Sequence, residues 1–157
     1  MSNALPILSL ILLVAIAVTG VTVARWQGVS SLRIYVEILT IFVGGALALL
    51  PCACIGVPIA LASGPYGRSP LWPDLATLIP VGAGAVIALC RVNPPRSRTV
   101  LPAAAVALLG FAAATGVSLG VWFLMPNASG PGCFFVIAPL SIASATVGSY
   151  ALAIGPH

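Results

Sequence analysis

Five long apolar runs, at about residues 4–24, 34–62, 74–90, 99–125 and 133–154, are separated by short polar or Pro- and Gly-rich stretches. Crossing the hydrocarbon core of a bilayer takes roughly 20 residues of helix, with a usable range of about 17–25. The first and fifth runs fit that length, the third is short and the fourth slightly long. The second, at about 29 residues, would measure roughly 43 Å at ~1.5 Å per residue. That is too long for one upright crossing, so it must tilt, break or end early. Pro51 and Pro58 lie inside it, and they predict a bend or an end near Pro51. From there to Ser63 the expectation is a kinked continuation or an irregular segment shielded by protein. The pattern as a whole predicts an all-α integral membrane bundle of about five transmembrane helices, with the second helix long and proline-broken. Residues 1–157 read as a single integral-membrane domain.

Composition agrees with the pattern: 61% of residues are apolar and only 5% are charged. A soluble domain needs charge on roughly a quarter of its residues. The net charge of +4 comes from Arg25, Arg33, Arg68, Arg91, Arg96 and Arg98 against Glu37 and Asp74, with no lysine. In a soluble protein that balance would suggest nucleic acid. Here the arginines sit at the ends of apolar runs, where they set orientation and meet anionic headgroups, so the lipid bilayer is the expected partner and nucleic acid is not.

Arg25 and Arg33 lie between the first two runs, and Arg91, Arg96 and Arg98 between the third and fourth. The positive-inside rule therefore predicts a cytoplasmic side for both loops, an outer N-terminus and a cytoplasmic C-terminus. "MSNALP" has no basic residue ahead of the first run, so that run reads as a retained helix and not a signal peptide. Trp26, Tyr35 and Tyr150 fall at the expected inner ends, and Tyr66, Trp72 and Trp122 at the outer ends, where amphipathic rings settle among headgroups. Residues 63–74 and 126–133 read as outer loops, and 91–98, with Pro94 and Pro95, as a stiff inner connector. Asn127-Ala-Ser129 matches a glycosylation acceptor but is better read as a chance pattern beside the membrane. Abundant Ala, Gly, Pro and Arg without Lys points to a GC-rich source and a bacterial plasma membrane.

Small residues recur every fourth position in the second run: Thr40, Gly44, Ala48, Cys52, Gly56 and Ala60. Lipid tails are as apolar as leucine, so helices associate in a bilayer through close backbone approach, which small residues permit. The fourth run repeats the device with Ala112, Gly116 and Gly120. The fifth offers Ser141, Ala145 and Ser149, with Ser144 and Gly148 beside them. The residues Gly44, Ala48, Cys52, Gly56, Ala112, Gly116 and Gly120 are thus the expected helix-packing or partner interface. They serve either the chain's own bundle or a neighbouring subunit, another membrane protein or a second copy.

Chemistry-bearing residues are few. Glu37 is the one acid predicted inside a membrane segment, which makes it the candidate ion or proton site. Arg33 precedes it by four residues on the same helical face, and an interfacial pair reaching toward headgroups accounts for it equally. Among the cysteines, Cys52 or Cys54 could bridge to Cys133, because all three fall at similar depth on the expected outer side. The lone histidine, His157, and Cys90 fall at the opposite side, so four ligands cannot converge and no metal site is expected. No nucleophile–base set or phosphate-cradling loop is present. Neither catalysis nor a cofactor is expected. The leading functional expectation is a small accessory or structural subunit of a larger integral-membrane complex. The alternative is a small transporter or channel component using Glu37 and the Pro51–Pro58 helix break.

Overall fold

A computed structural model describes residues 4–62, 72–96, 98–124 and 131–156. It contains five helices: α1 (Ala4–Trp26), α2 (Ser31–Ala62), α3 (Trp72–Val92), α4 (Val100–Leu124) and α5 (Pro131–Ile154). Stretches of four of them, Ala4–Trp26, Ser31–Ile55, Val100–Phe123 and Cys133–Ile154, are long and apolar enough to cross a membrane. In α3 the apolar part among the described residues, Thr77–Val92, is shorter. The chain is a multi-pass, all-helical membrane protein.

Local chemistry explains where several helices stop. At the end of α1, Gly28 takes the left-handed conformation (φ 85°) that a side chain would resist. Its N–H then bonds to the Arg25 carbonyl at 2.9 Å, and the Val29 N–H bonds to the Ala24 carbonyl at 3.1 Å. This crossed pair closes the orphan carbonyls of the last turn, and the apolar ends of the motif, Ala24 and Val29, are both buried. Ser30 starts the next helix by accepting the Arg33 N–H on its hydroxyl. Gly155 (φ 82°) ends α5 in a related way, its N–H 3.1 Å from the Ala151 carbonyl.

The second helix corrects one alternative drawn from the sequence. It does not end near Pro51: helix continues through Pro51 and Pro58 to Ala62, 32 residues in all. At ~1.5 Å per residue that is about 48 Å, against a hydrocarbon core of about 30 Å. Seven residues make almost two full turns, so both prolines occupy one face, and both are exposed. A proline facing away from the bundle loses its backbone bond without disturbing the packed face, which is why the helix survives it.

The helices sort into two groups. α2 and α3 form an antiparallel hairpin, whereas α1 and α4 both pack on α5. Glycines make each seam close. A Cβ on Gly44 would lie 2.7 Å from the Gly84 carbonyl oxygen, and one on Gly84 would lie 2.6 Å from the Ala48 Cβ. On the other side of the molecule, a Cβ on Gly148 would lie 2.8 Å from the Gly20 carbonyl oxygen, and one on Gly20 would strike the Ser144 carbonyl. Gly110 of α4 meets Ser149 in the same manner. The Ser141 hydroxyl lies 2.6 Å from the Leu13 carbonyl of α1 and 2.8 Å from the Ile137 carbonyl of its own helix. Ser141, Ser144 and Gly148 of α5 are therefore buried inside the bundle, while Ala145 and Ser149 are half-buried.

Candidate functional site

Among the described residues, the buried charge lies at the arginine-rich end, where the hairpin meets the other three helices. The spacing of Arg33 and Glu37 puts them on one face of α2, with Arg33 Nε 3.4 Å from Glu37 Oε1. Their side chains differ sharply in exposure, 40% for Arg33 and 1% for Glu37. The carboxylate therefore turns into the bundle. This corrects the expectation for the acid: the partnership is as predicted, but Glu37 points into the bundle and only Arg33 is left part-exposed at the rim.

The reason is a second donor. Asn93 follows the last residue of α3, where Pro94 and Pro95 prevent the helix from continuing. Its side-chain amide donates to Glu37 Oε1 at 2.8 Å. The amide oxygen of Asn93 accepts from Arg33 Nη2 in turn, closing a three-residue ring of contacts. The backbone carbonyl of Asn93, left without a helical partner by the chain stop, accepts the hydroxyl of Tyr150 from α5. Tyr150 is 1% exposed and adjoins the Cys90 thiol. This corrects the reading of Tyr150 as a ring resting among headgroups. Trp26 and Tyr35, at the same end, are exposed as that reading requires.

Asn93 is thus the joint of the network, and α2, α3 and α5 meet through it. An unpaired carboxylate in an apolar interior is very costly, and here the Arg33 charge and the Asn93 amide help compensate it. Because a guanidinium already neutralises Glu37, a cation entering this site would have to displace Arg33.

The remaining predicted residues divide. Gly44 and Ala48 pack against α3, as described above, and Cys52 is half-buried on the same helix. The surroundings of Gly56 lie outside the described residues. Ala112, Gly116 and Gly120 are exposed on α4, and a Cβ built on either glycine meets nothing within 4 Å. The sequence treated all these stripes alike, but among their described glycines it is those on α4 that are left open. All four cysteines are free, with Cys54 and Cys133 exposed, so the bridge from Cys52 or Cys54 to Cys133 is not formed.

An apolar groove of about 430 Å³ runs between α1 and α5, lined among others by Ile16, Thr19, Gly148 and Leu152. Near the arginine-poor end, Trp122 packs at a tilt against Phe134 and Phe135, at centroid distances of 5.2 and 5.5 Å. No family model matches the chain, and neither a curated protein nor a solved structure matches it.

Proposed function

We propose that the chain is a small structural subunit of a larger integral-membrane assembly, and that it docks its partner through the open face of α4. The observation carrying this reading is the contrast among its glycines. Gly20, Gly44, Gly84, Gly110 and Gly148 each sit against a neighbouring helix so closely that a Cβ would collide, whereas Gly116 and Gly120 face open space. A smooth small-residue face exposed to lipid forgoes contacts that a second helix could restore at close range. Mild-detergent purification of the tagged full chain tests this directly. The expected result is a co-purifying membrane protein, or a second copy of the chain. Gly116→Leu with Gly120→Leu should abolish that association while the monomer stays folded. A wild-type chain that runs as a lone monomer would overturn the reading.

A second reading, a transporter or channel component, is favoured by one observation, the buried Glu37 carboxylate. Its compensation by Arg33 and Asn93 suits a structural role better. Glu37→Gln separates the two. Lost ion or solute flux in a folded variant would favour transport, and an unaltered complex would favour the subunit.

A further inference from the structure

We propose that the arginine-rich end is a binding site for the headgroup of an anionic phospholipid, centred on the exposed donors of Arg33, with Arg25 and Arg96 exposed at the same end. The charge at this end is unbalanced in a specific way. Glu37 is buried and already paired with Arg33, and the only other acid in the chain, Asp74, falls near the start of α3, at the far end of the bundle. Arg25, Arg91, Arg96 and Arg98 are all exposed, and among the described residues the Arg33–Glu37 contact is the ion pair. Four cations therefore share one rim without an acid to offset them.

Hydrogen bonds fix two of the arginines at this end. Arg25 Nη2 donates to Ser31 Oγ at 2.6 Å, which holds it beside the first turn of α2. Arg33, two residues on, donates to Asn93 of the next loop, and Asn93 is flanked by Arg91 and Arg96. A guanidinium carries five N–H groups in a fixed fork. Arg33 Nε lies 3.4 Å from Glu37 Oε1 and one Nη2 hydrogen goes to Asn93, and the Arg33 side chain is 40% exposed. The remaining donors are available to a phosphate, whose geometry matches the fork.

Depth selects a lipid over a soluble anion. Trp26 and Tyr35, 82% and 72% exposed at this same end, are rings of the kind that mark the headgroup level. A phosphodiester is therefore presented at that level at high local concentration. Binding also feeds back on the fold. A phosphate holding the outer N–H groups of Arg33 restricts the side chain to the rotamer that compensates Glu37, so a lipid preferring the folded protein stabilises it by linkage.

Native mass spectrometry of the detergent-purified full chain, titrated with phosphatidylglycerol or phosphatidylcholine of identical acyl chains, tests the site. The expected result is retention of the anionic lipid roughly tenfold above the neutral one. The Arg25→Gln, Arg96→Gln double variant, which leaves the Glu37 network intact, should reduce that preference severalfold. Phosphatidylglycerol should also raise the thermal midpoint of the wild type, and Arg33→Lys, which keeps the charge but loses the fork, should lose most of that rise. Equal retention of both lipids would overturn the proposal, as would a preference untouched by the double variant. So would full replacement of the lipid effect by inorganic phosphate at the same concentration, which would assign the rim to a free anion.

Discussion

At the arginine-rich end one apolar core draws on all five helices, from Ala24 and Ile34 through Leu89 and Ala107 to Val147 and Tyr150. Toward the other end, the buried cluster among the described residues draws only on α1, α4 and α5, through Leu13, Val121 and Ala138. Beyond Gly45, the described side chains of α2 are exposed or at most half-buried. The two ends are thus joined by different means. Within each helix group, glycine contacts bring backbones together, which is the available route where lipid removes the usual apolar drive. Between the groups the polar network of Arg33, Glu37, Asn93 and Tyr150 adds a directed attachment, and among the described residues it does so at one end only.

Substitutions can break that contrast, and the largest effect should come from the seam that serves both ends. Gly148→Leu places a branched side chain where a Cβ already lies 2.8 Å from the Gly20 carbonyl oxygen, and backbone cannot give way as a flexible side chain can. Size-exclusion chromatography in detergent should show aggregate with no monodisperse peak, and a normal peak would refute the α1–α5 packing. Arg33→Ala comes next. Removing one partner of a buried pair costs about 3–5 kcal/mol, with the lower value expected because the guanidinium is partly exposed. A thermal unfolding series in which Arg33→Ala costs no more than an ordinary surface change would show that Arg33 is not needed to compensate Glu37.

The smallest predicted effect is the most local. Tyr150→Phe leaves the Asn93 carbonyl without its donor, at about 1–3 kcal/mol. Hydrogen exchange should then rise in α2 and α3. Leu13→Ala, at the other end, should raise exchange in α1 and α5 and leave the hairpin unchanged. Identical exchange patterns for the two variants would remove the distinction between the ends.

Much of this architecture is legible in the sequence, and the misses share a cause. Hydrophobic run length marks all five helices, since in a bilayer that single quantity decides what can cross. The Arg33–Glu37 partnership follows from its spacing. Its inward direction does not, because the donor that turns it, Asn93, sits 56 positions from Glu37 in what reads as a plain proline-stiffened connector. Tyr150 was hidden for a similar reason: an interfacial ring and a buried ring with a polar anchor occupy the same depth, and only the opposing carbonyl tells them apart. The small-residue stripes were visible as stripes, yet whether Gly44 or Gly116 meets a neighbour is a matter of tertiary placement. The continuation of α2 past Pro51 depends likewise on which way the proline faces.

The pairing of α1 with α5 has a consequence for synthesis. The hydrogen bond from Ser141 to Leu13 spans 128 positions of sequence. During vectorial insertion, α2 and α3 can close their hairpin as neighbours in time, while α1 must wait in the bilayer until α5 has been made. Through that interval Gly20 and the Leu13 carbonyl remain uncovered, so the chain passes through a state whose first helix is free to pair with the wrong neighbour. The order of translation, as much as the strength of any contact, thus decides how reliably this bundle assembles.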